Sequence, residues 1–133
     1  MREKRERLVR LWLDKAEKDL KSAEREMEFD QPITETVCFH SQQSAEKYLK
    51  AFLVKAGKVP PRIHDIGALV KICSEIEISF DKIKDEAIKL SIYAVEIRYP
   101  DDFYEPSSEE AKETIKVAYK VKKFVLNVIK KQI

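Results

Sequence analysis

At 133 residues, 44% of them hydrophobic and 38% charged, the chain can bury a core as one domain spanning residues 1–133 and is too apolar for wholesale disorder. Two glycines and five prolines leave few turn formers, which points to helices with a solvated surface. No uncharged run approaches the roughly 20 residues of a membrane span, the first ten residues are mostly charged, and Cys38 and Cys73 lack C-x-x-C spacing, so a cytoplasmic protein with reduced packing thiols is expected.

The first helix is predicted from about Glu6 to Glu28, where Trp12, Ala16, Leu20, Ala23 and Met27 recur every three to four residues. Asp19 lies beside that stripe, and its carboxylate there calls for a partner or for solvent. Phe29 to Pro32 breaks the pattern, since Pro32 is tolerated in the first turn of the next helix but not deep inside it. The second helix then runs to Ala56, with Gly57 as its stop. Cys38, Ser41, Ala45, Tyr48, Leu49, Phe52 and Leu53 form its inner stripe. His40, Gln43, Lys47 and Lys50 lie opposite, and are expected to face something outside the core.

Lys58 to Ile63 is an extended connector because Pro60 and Pro61 push their predecessors away from helical geometry. Asp65 is the expected N-cap of a short third helix through about Ser74, with Ile66, Leu69, Val70 and Cys73 inward. Gly67 weakens that helix by about 1 kcal/mol relative to alanine, which points to close packing at its first turn.

A fourth helix is predicted over about Asp81 to Ile97 with two apolar stripes. One is Ile83, Ala87, Leu90, Ala94 and Ile97; the other is Ile88, Ile92, Val95 and Tyr99. A monomer's surface helix needs one such face, so either the helix is central or its second stripe is covered by another copy of the chain. An aromatic and acidic loop, Arg98 to Pro106, follows. Ser107 and Glu110 have capping-box spacing and open a fifth helix that continues nearly to Ile133, with Ile115, Ala118, Val121, Val125 and Val128 or Ile129 inward. The expected fold is all-α, an antiparallel up-and-down bundle of four long helices and one short one.

Net charge is only +2, but its distribution is uneven. Arg2, Lys4, Arg5, Arg7 and Arg10 crowd the start, and Lys116 to Lys131 carry no acid. Basic ends can steer a polyanion, although lysines at a helix C-terminus also suit the macrodipole.

Taken in order, Trp12, Ala16, Asp19-Leu20 and Ala23, then Gln42 through Ala51 (QQSAEKYLKA), then Pro61-x-x-His64-Asp65-Ile66, then Arg98-Tyr99-Pro100-Asp101, resemble the HEPN family, named for higher eukaryotes and prokaryotes nucleotide-binding. The resemblance covers nearly the whole chain. It implies a short helical bundle that often forms homodimers and is commonly encoded beside a minimal nucleotidyltransferase, as in toxin and antitoxin pairs. Several branches are metal-independent ribonucleases that place an arginine, four to six residues and a histidine at the end of a long helix. Arg98 matches the arginine, but Tyr99 to Glu105 supply no histidine.

That departure bears on mechanism, because cleavage through a 2′-hydroxyl needs a group that moves a proton near neutral pH. Tyrosine, with a reference pKa near about 10, does this poorly. Arg98 still has the fork that binds a phosphate. The expected function is therefore a nucleotide- or RNA-binding module acting with a nucleotidyltransferase partner, with Arg98, Tyr99, Asp101, Tyr104, His64, Gln43 and Lys47 as binding residues. The alternatives are a ribonuclease toxin using Arg98 with Tyr104 or His64, and a protein-interaction bundle without a ligand. Tyr99, Phe103 and Tyr104 could stack on a base or fold over the bundle's end. His64 is read as pinning the third helix or meeting a ligand, and His40 as a surface residue. Gln42, Gln43, Glu46, Lys47 and Lys50 suit ligand contacts or solvated helix positions equally. With no clustered ligands and no glycine-rich phosphate loop, neither a metal nor a cofactor is expected.

Overall fold

The computed structural model describes residues 2–94 and 104–131. Their elements are α1 (Arg2–Met27), α2 (Thr34–Lys55), α3 (Ile66–Ile76), a 3-10 stretch (Ile78–Ile83), α4 (Lys84–Ala87), a second 3-10 stretch (Ile88–Tyr93) and α5 (Ser108–Lys131), with no strand among the described residues. The all-α expectation holds. No described helix is long and apolar enough to cross a membrane.

The α1 stripe is as the spacing requires: Ala16, Leu20 and Ala23 are fully buried and Met27 packs against the core. All seven residues of the expected inner stripe of α2 are buried as well. The helix goes further, because Val37, Gln42, Ser44, Glu46, Lys50, Ala51 and Val54 are also buried. Helix α2 packs against α1, α3, α5 and the Ile88–Tyr93 stretch, so it is the central strut rather than a surface helix with one polar face. Pro32 stands just outside it, before the N-cap Ile33. Gly57 ends it with φ of 83°, a left-handed conformation that a residue with a Cβ adopts only under strain.

Asp65 caps α3 by accepting the Ala68 N–H at 3.2 Å, and Ile66, Leu69, Val70 and Cys73 are fully buried beneath it. The close approach expected at Gly67 is present: a Cβ there would stand 2.9 Å from Ile88 Cδ1. Phe80 links the layers, its ring centroid 4.6 Å from Phe52 of α2 and 4.9 Å from Phe124 of α5. Such aromatic pairs add about 0.5–1.5 kcal/mol each beyond the area they bury.

The predicted continuous helix over Asp81 to Ile97 is corrected by the structure, which places one turn of α-helix between two 3-10 stretches. Ala87, Leu90 and Tyr93 are buried at every third position, a spacing that a three-residue turn keeps on one face and a 3.6-residue turn would rotate away. Ile88 and Ile92 are consequently exposed, so the segment is not central to the bundle. Val95, Ile97 and the loop residues Arg98, Tyr99, Asp101 and Phe103 lie outside the described residues.

Helix α5 begins with the expected box: Glu110 N–H donates to Ser107 Oγ at 3.0 Å, and the Ser107 backbone N–H favours the Glu110 carboxylate in return. Its buried face comprises Ala111, Thr114, Val117, Ala118, Val121, Val125 and Val128, while Ile115 and Ile129 are half-buried.

Candidate functional site

The polar arc of α2, read as facing outward, is instead built into the protein. Glu46 is 3% and Lys50 5% exposed, and Gln42 is fully buried. A carboxylate and an ammonium taken out of water cost several kcal/mol each unless paired and hydrogen-bonded. Here Lys50 Nζ lies 3.0 Å from Glu46 Oε2, one helical turn away, and sits 5.7 Å from the centre of the Trp12 ring. Gln42 Nε2 donates to Glu46 Oε1 at 3.2 Å and to the His64 carbonyl at 3.1 Å. Gln43 Nε2 donates in turn to Gln42 Oε1 at 2.8 Å.

His64 completes this chain from the connector before α3. Its Nδ1 is 3.0 Å from Glu46 Oε1 and 3.2 Å from Oε2. An ionised carboxylate only accepts, so Nδ1 carries a proton and the other ring nitrogen, Nε2, is the one left for exchange with the outside. The side chain is 66% exposed although the carboxylate it rests on is 4% exposed. A buried anion thus orients an exposed imidazole, the arrangement by which a histidine is held ready to donate or accept at a ligand.

A second network repeats the pattern on the other flank of α2. His40 Nδ1 is 2.8 Å from Asp19 Oδ1, and Lys47 Nζ bonds Asp19 Oδ2. Of the two outcomes expected for Asp19, a partner or solvent, the structure shows the partner. His40, expected at the surface, is half-buried, its side chain 27% exposed and its ring edge-on to Phe39 at 5.4 Å. Lys47 is likewise engaged with α1 rather than directed freely into solvent. The sequence signal for this contact was the carboxylate of Asp19 beside an otherwise apolar stripe, opposite a helix with a histidine and a lysine seven residues apart.

Tyr104 is the candidate of the loop that falls within the described residues. It is half exposed, and its hydroxyl donates to Glu110 Oε1, while that of Tyr93 donates to Oε2. The bond to Glu110 raises the Tyr104 pKa, and burial followed by the same carboxylate raises that of Tyr93. Partial burial opposes ionisation of Glu110, but the two tyrosine hydroxyls and the Ser107 N–H outweigh it and hold the carboxyl below its ordinary value. Tyr104 is therefore a hydrogen-bond donor and a poor base. Further along α5, Thr114 Oγ1 donates to the Ala111 carbonyl at 2.7 Å and lies 3.2 Å from Ser41 Oγ, and burial pushes the nearby Cys38 thiol up to about 11.

The structure thus joins His64 and Gln43 through Gln42 and Glu46, and places Lys47 in a separate network with Asp19. Tyr104 belongs to a third, at the start of α5.

Comparison with known proteins bears on the fold and the family. The family model for the HEPN domain matches residues 9–129. A crystal structure of an archaeal HEPN homologue superposes with a TM-score of 0.71 at 30% sequence identity, covering 91% of this chain and 97% of that one. No curated protein matches the chain.

Proposed function

Because the chain belongs to the HEPN domain family, we propose that it is a nucleotide- or RNA-binding module working in the cytoplasm with a minimal nucleotidyltransferase partner, as in a toxin and antitoxin pair. The observation that carries the binding reading is the exposed His64 imidazole seated on buried Glu46. The outward Nε2 of such an imidazole accepts from a base edge when the ring is neutral and donates to a phosphate oxygen once it gains a proton, without turning the ring. Arg98, Tyr99 and Asp101 complete the proposed contacts.

Titration of labelled RNA and of nucleotides against the purified protein tests this. Affinity is expected to fall as salt rises, because phosphate contacts release counterions, and to weaken in His64→Ala and Arg98→Ala. A flat titration would sink the reading and leave a protein-interaction bundle. Pull-down with a co-expressed nucleotidyltransferase tests the partner, and failure to co-purify counts against it.

One observation favours the ribonuclease as second reading. With Tyr104 committed to Glu110 as a donor, His64 on Glu46 is the group suited to general acid or base work, and Arg98 would hold the scissile phosphate. Loss of RNA cleavage in both His64→Ala and Arg98→Ala supports it; an intact substrate at high protein concentration removes it.

The homodimer is part of the proposal. Ile88 is 44% exposed beside α3, and Ile88→Asp is expected to convert a dimeric mass in solution to a monomeric one. A wild-type monomer would contradict the dimer.

A further inference from the structure

Away from His64, the amino end of α1 meets the carboxyl ends of α2 and α5 at a groove of about 660 Å³, lined by Arg2, Arg5, Glu6, Arg10 and Lys55 over an apolar floor of Val9 and Ile129. Glu6 faces Arg2 at 3.8 Å. Among the described residues, no carboxylate lies within ion-pairing distance of Arg5, Arg10 or Lys55, whereas Lys47, Lys50, Lys120 and Lys122 each have one. The Arg5 guanidinium rests over Gly57, 3.8 Å from where a Cβ would sit.

Helix electrostatics accounts for Lys55, which lies in the last turn of α2 where cations are favoured. It does not account for the arginines. Arg2 and Arg5 occupy the first turns of α1, at the positive end of the macrodipole, where cations are disfavoured. Arg2 has Glu6 as a counter-charge, but Arg5, placed against the local field, and Arg10 beside it have none among the described residues and are poised for an external anion. Arginine brings a planar fork that matches phosphate oxygens. Residues 2 to 10 span roughly 12 Å of helix at about 1.5 Å per residue, longer than a single phosphate and suited to consecutive ones. Among the described residues that line the groove there is no aromatic side chain on which a base could stack.

We infer that this groove binds the phosphate backbone of an RNA strand, independently of sequence. The inference rests on the nucleic-acid reading above and locates a contact surface for it distinct from His64.

The test measures binding of a fluorescent, mixed-sequence RNA oligonucleotide by anisotropy across a salt series. The wild type is compared with Arg5→Gln/Arg10→Gln and with Lys15→Gln/Lys18→Gln, which removes equal charge from exposed positions elsewhere on α1. The arginine pair is expected to weaken binding about tenfold or more and to lower the slope of log affinity against log salt by about 1.4, at about 0.7 per lost contact for a single strand. The lysine pair should change affinity less than about twofold, since it removes no groove contact. Unchanged thermal midpoints show that folding is not the cause.

If the wild type binds RNA and the arginine pair binds it equally well, or if the lysine pair weakens it as much, the groove assignment is wrong and the nucleic-acid reading stands. If the wild type binds no RNA, the groove assignment falls together with the RNA half of the reading above, and nucleotide binding is judged by its own titration. Full displacement of RNA by a mononucleotide at matched phosphate concentration overturns the strand in favour of a single-phosphate site. Full displacement by polyglutamate at matched charge overturns RNA in favour of an acidic protein partner.

Discussion

The His64 imidazole, two-thirds exposed, places its Nδ1 3.0 Å from a carboxylate oxygen of Glu46, which is almost wholly buried. The imidazole meets the interior at this carboxylate while buried Gln42 holds the His64 carbonyl, and Glu46 must also serve Lys50 and Gln42.

Removing the shared carboxylate is expected to be costly. Glu46→Ala leaves Lys50 buried without its counter-charge and should lower stability by about 3–5 kcal/mol, whereas Glu46→Leu with Lys50→Met should recover most of that loss. Urea unfolding of the three proteins checks this. Equal midpoints for Glu46→Ala and the double variant would show that the pair is not coupled.

The two glycines should respond oppositely to alanine. Gly57→Ala forces a Cβ into a left-handed turn and is expected to cost about 1 kcal/mol or more. Gly67→Ala gains up to about 1 kcal/mol of helix propensity but must displace the end of Ile88. In an Ile88→Ala background that obstacle is gone, only the Asp65 carboxylate at 3.3 Å must give by a few tenths of an ångström, and most of the gain should appear. Thermal midpoints measure both, and a destabilising Gly67→Ala in that background would refute the packing account.

Acid should act through Glu110. Its carboxyl titrates below the ordinary value in the folded protein, so its contribution is fully present above the unfolded value of about 4.3 and is lost as pH falls through the lower folded one. Glu110→Gln is expected to flatten the loss of stability below about pH 4 while leaving the neutral region otherwise parallel. Chemical denaturation at stepped pH tests the slope, and an unchanged slope would show that other carboxyls carry it.

Both thiols should be silent in the folded state. Cys38 and Cys73 are buried and unpaired, and burial pushes them up to about 11 and about 12 respectively. Since the thiolate is the reactive form, a thiol reagent at neutral pH should label neither in buffer and both in guanidinium. Prompt labelling of native protein would contradict their placement.

The helix order was legible because apolar residues repeat at helical spacing in α1, α2, α3 and α5, and because Asp65, Ser107 and Gly57 are caps and stops with a local mechanism. The fourth segment misled because Ala87, Leu90 and Tyr93 suit a three-residue turn, and alternate apolar positions disguise that as a longer α-helix. The polar side of α2 misled for a different reason. Glutamine, glutamate and lysine at helical spacing read as solvated, and their burial depends on His64 and Asp19 arriving from other parts of the chain as well as on the Glu46–Lys50 pair within the helix. A long-range partner leaves no mark in a local pattern.

Because α2 is enclosed nearly all round, its middle amides should exchange with deuterated solvent only when the whole molecule opens, giving a single slow clock for residues around Ala45 to Phe52. The 3-10 turns from Ile88 to Tyr93, with weaker hydrogen bonds and an exposed outer face, should run much faster. The Ile88–Tyr93 stretch is thus free to adjust on a timescale at which the central strut stands still.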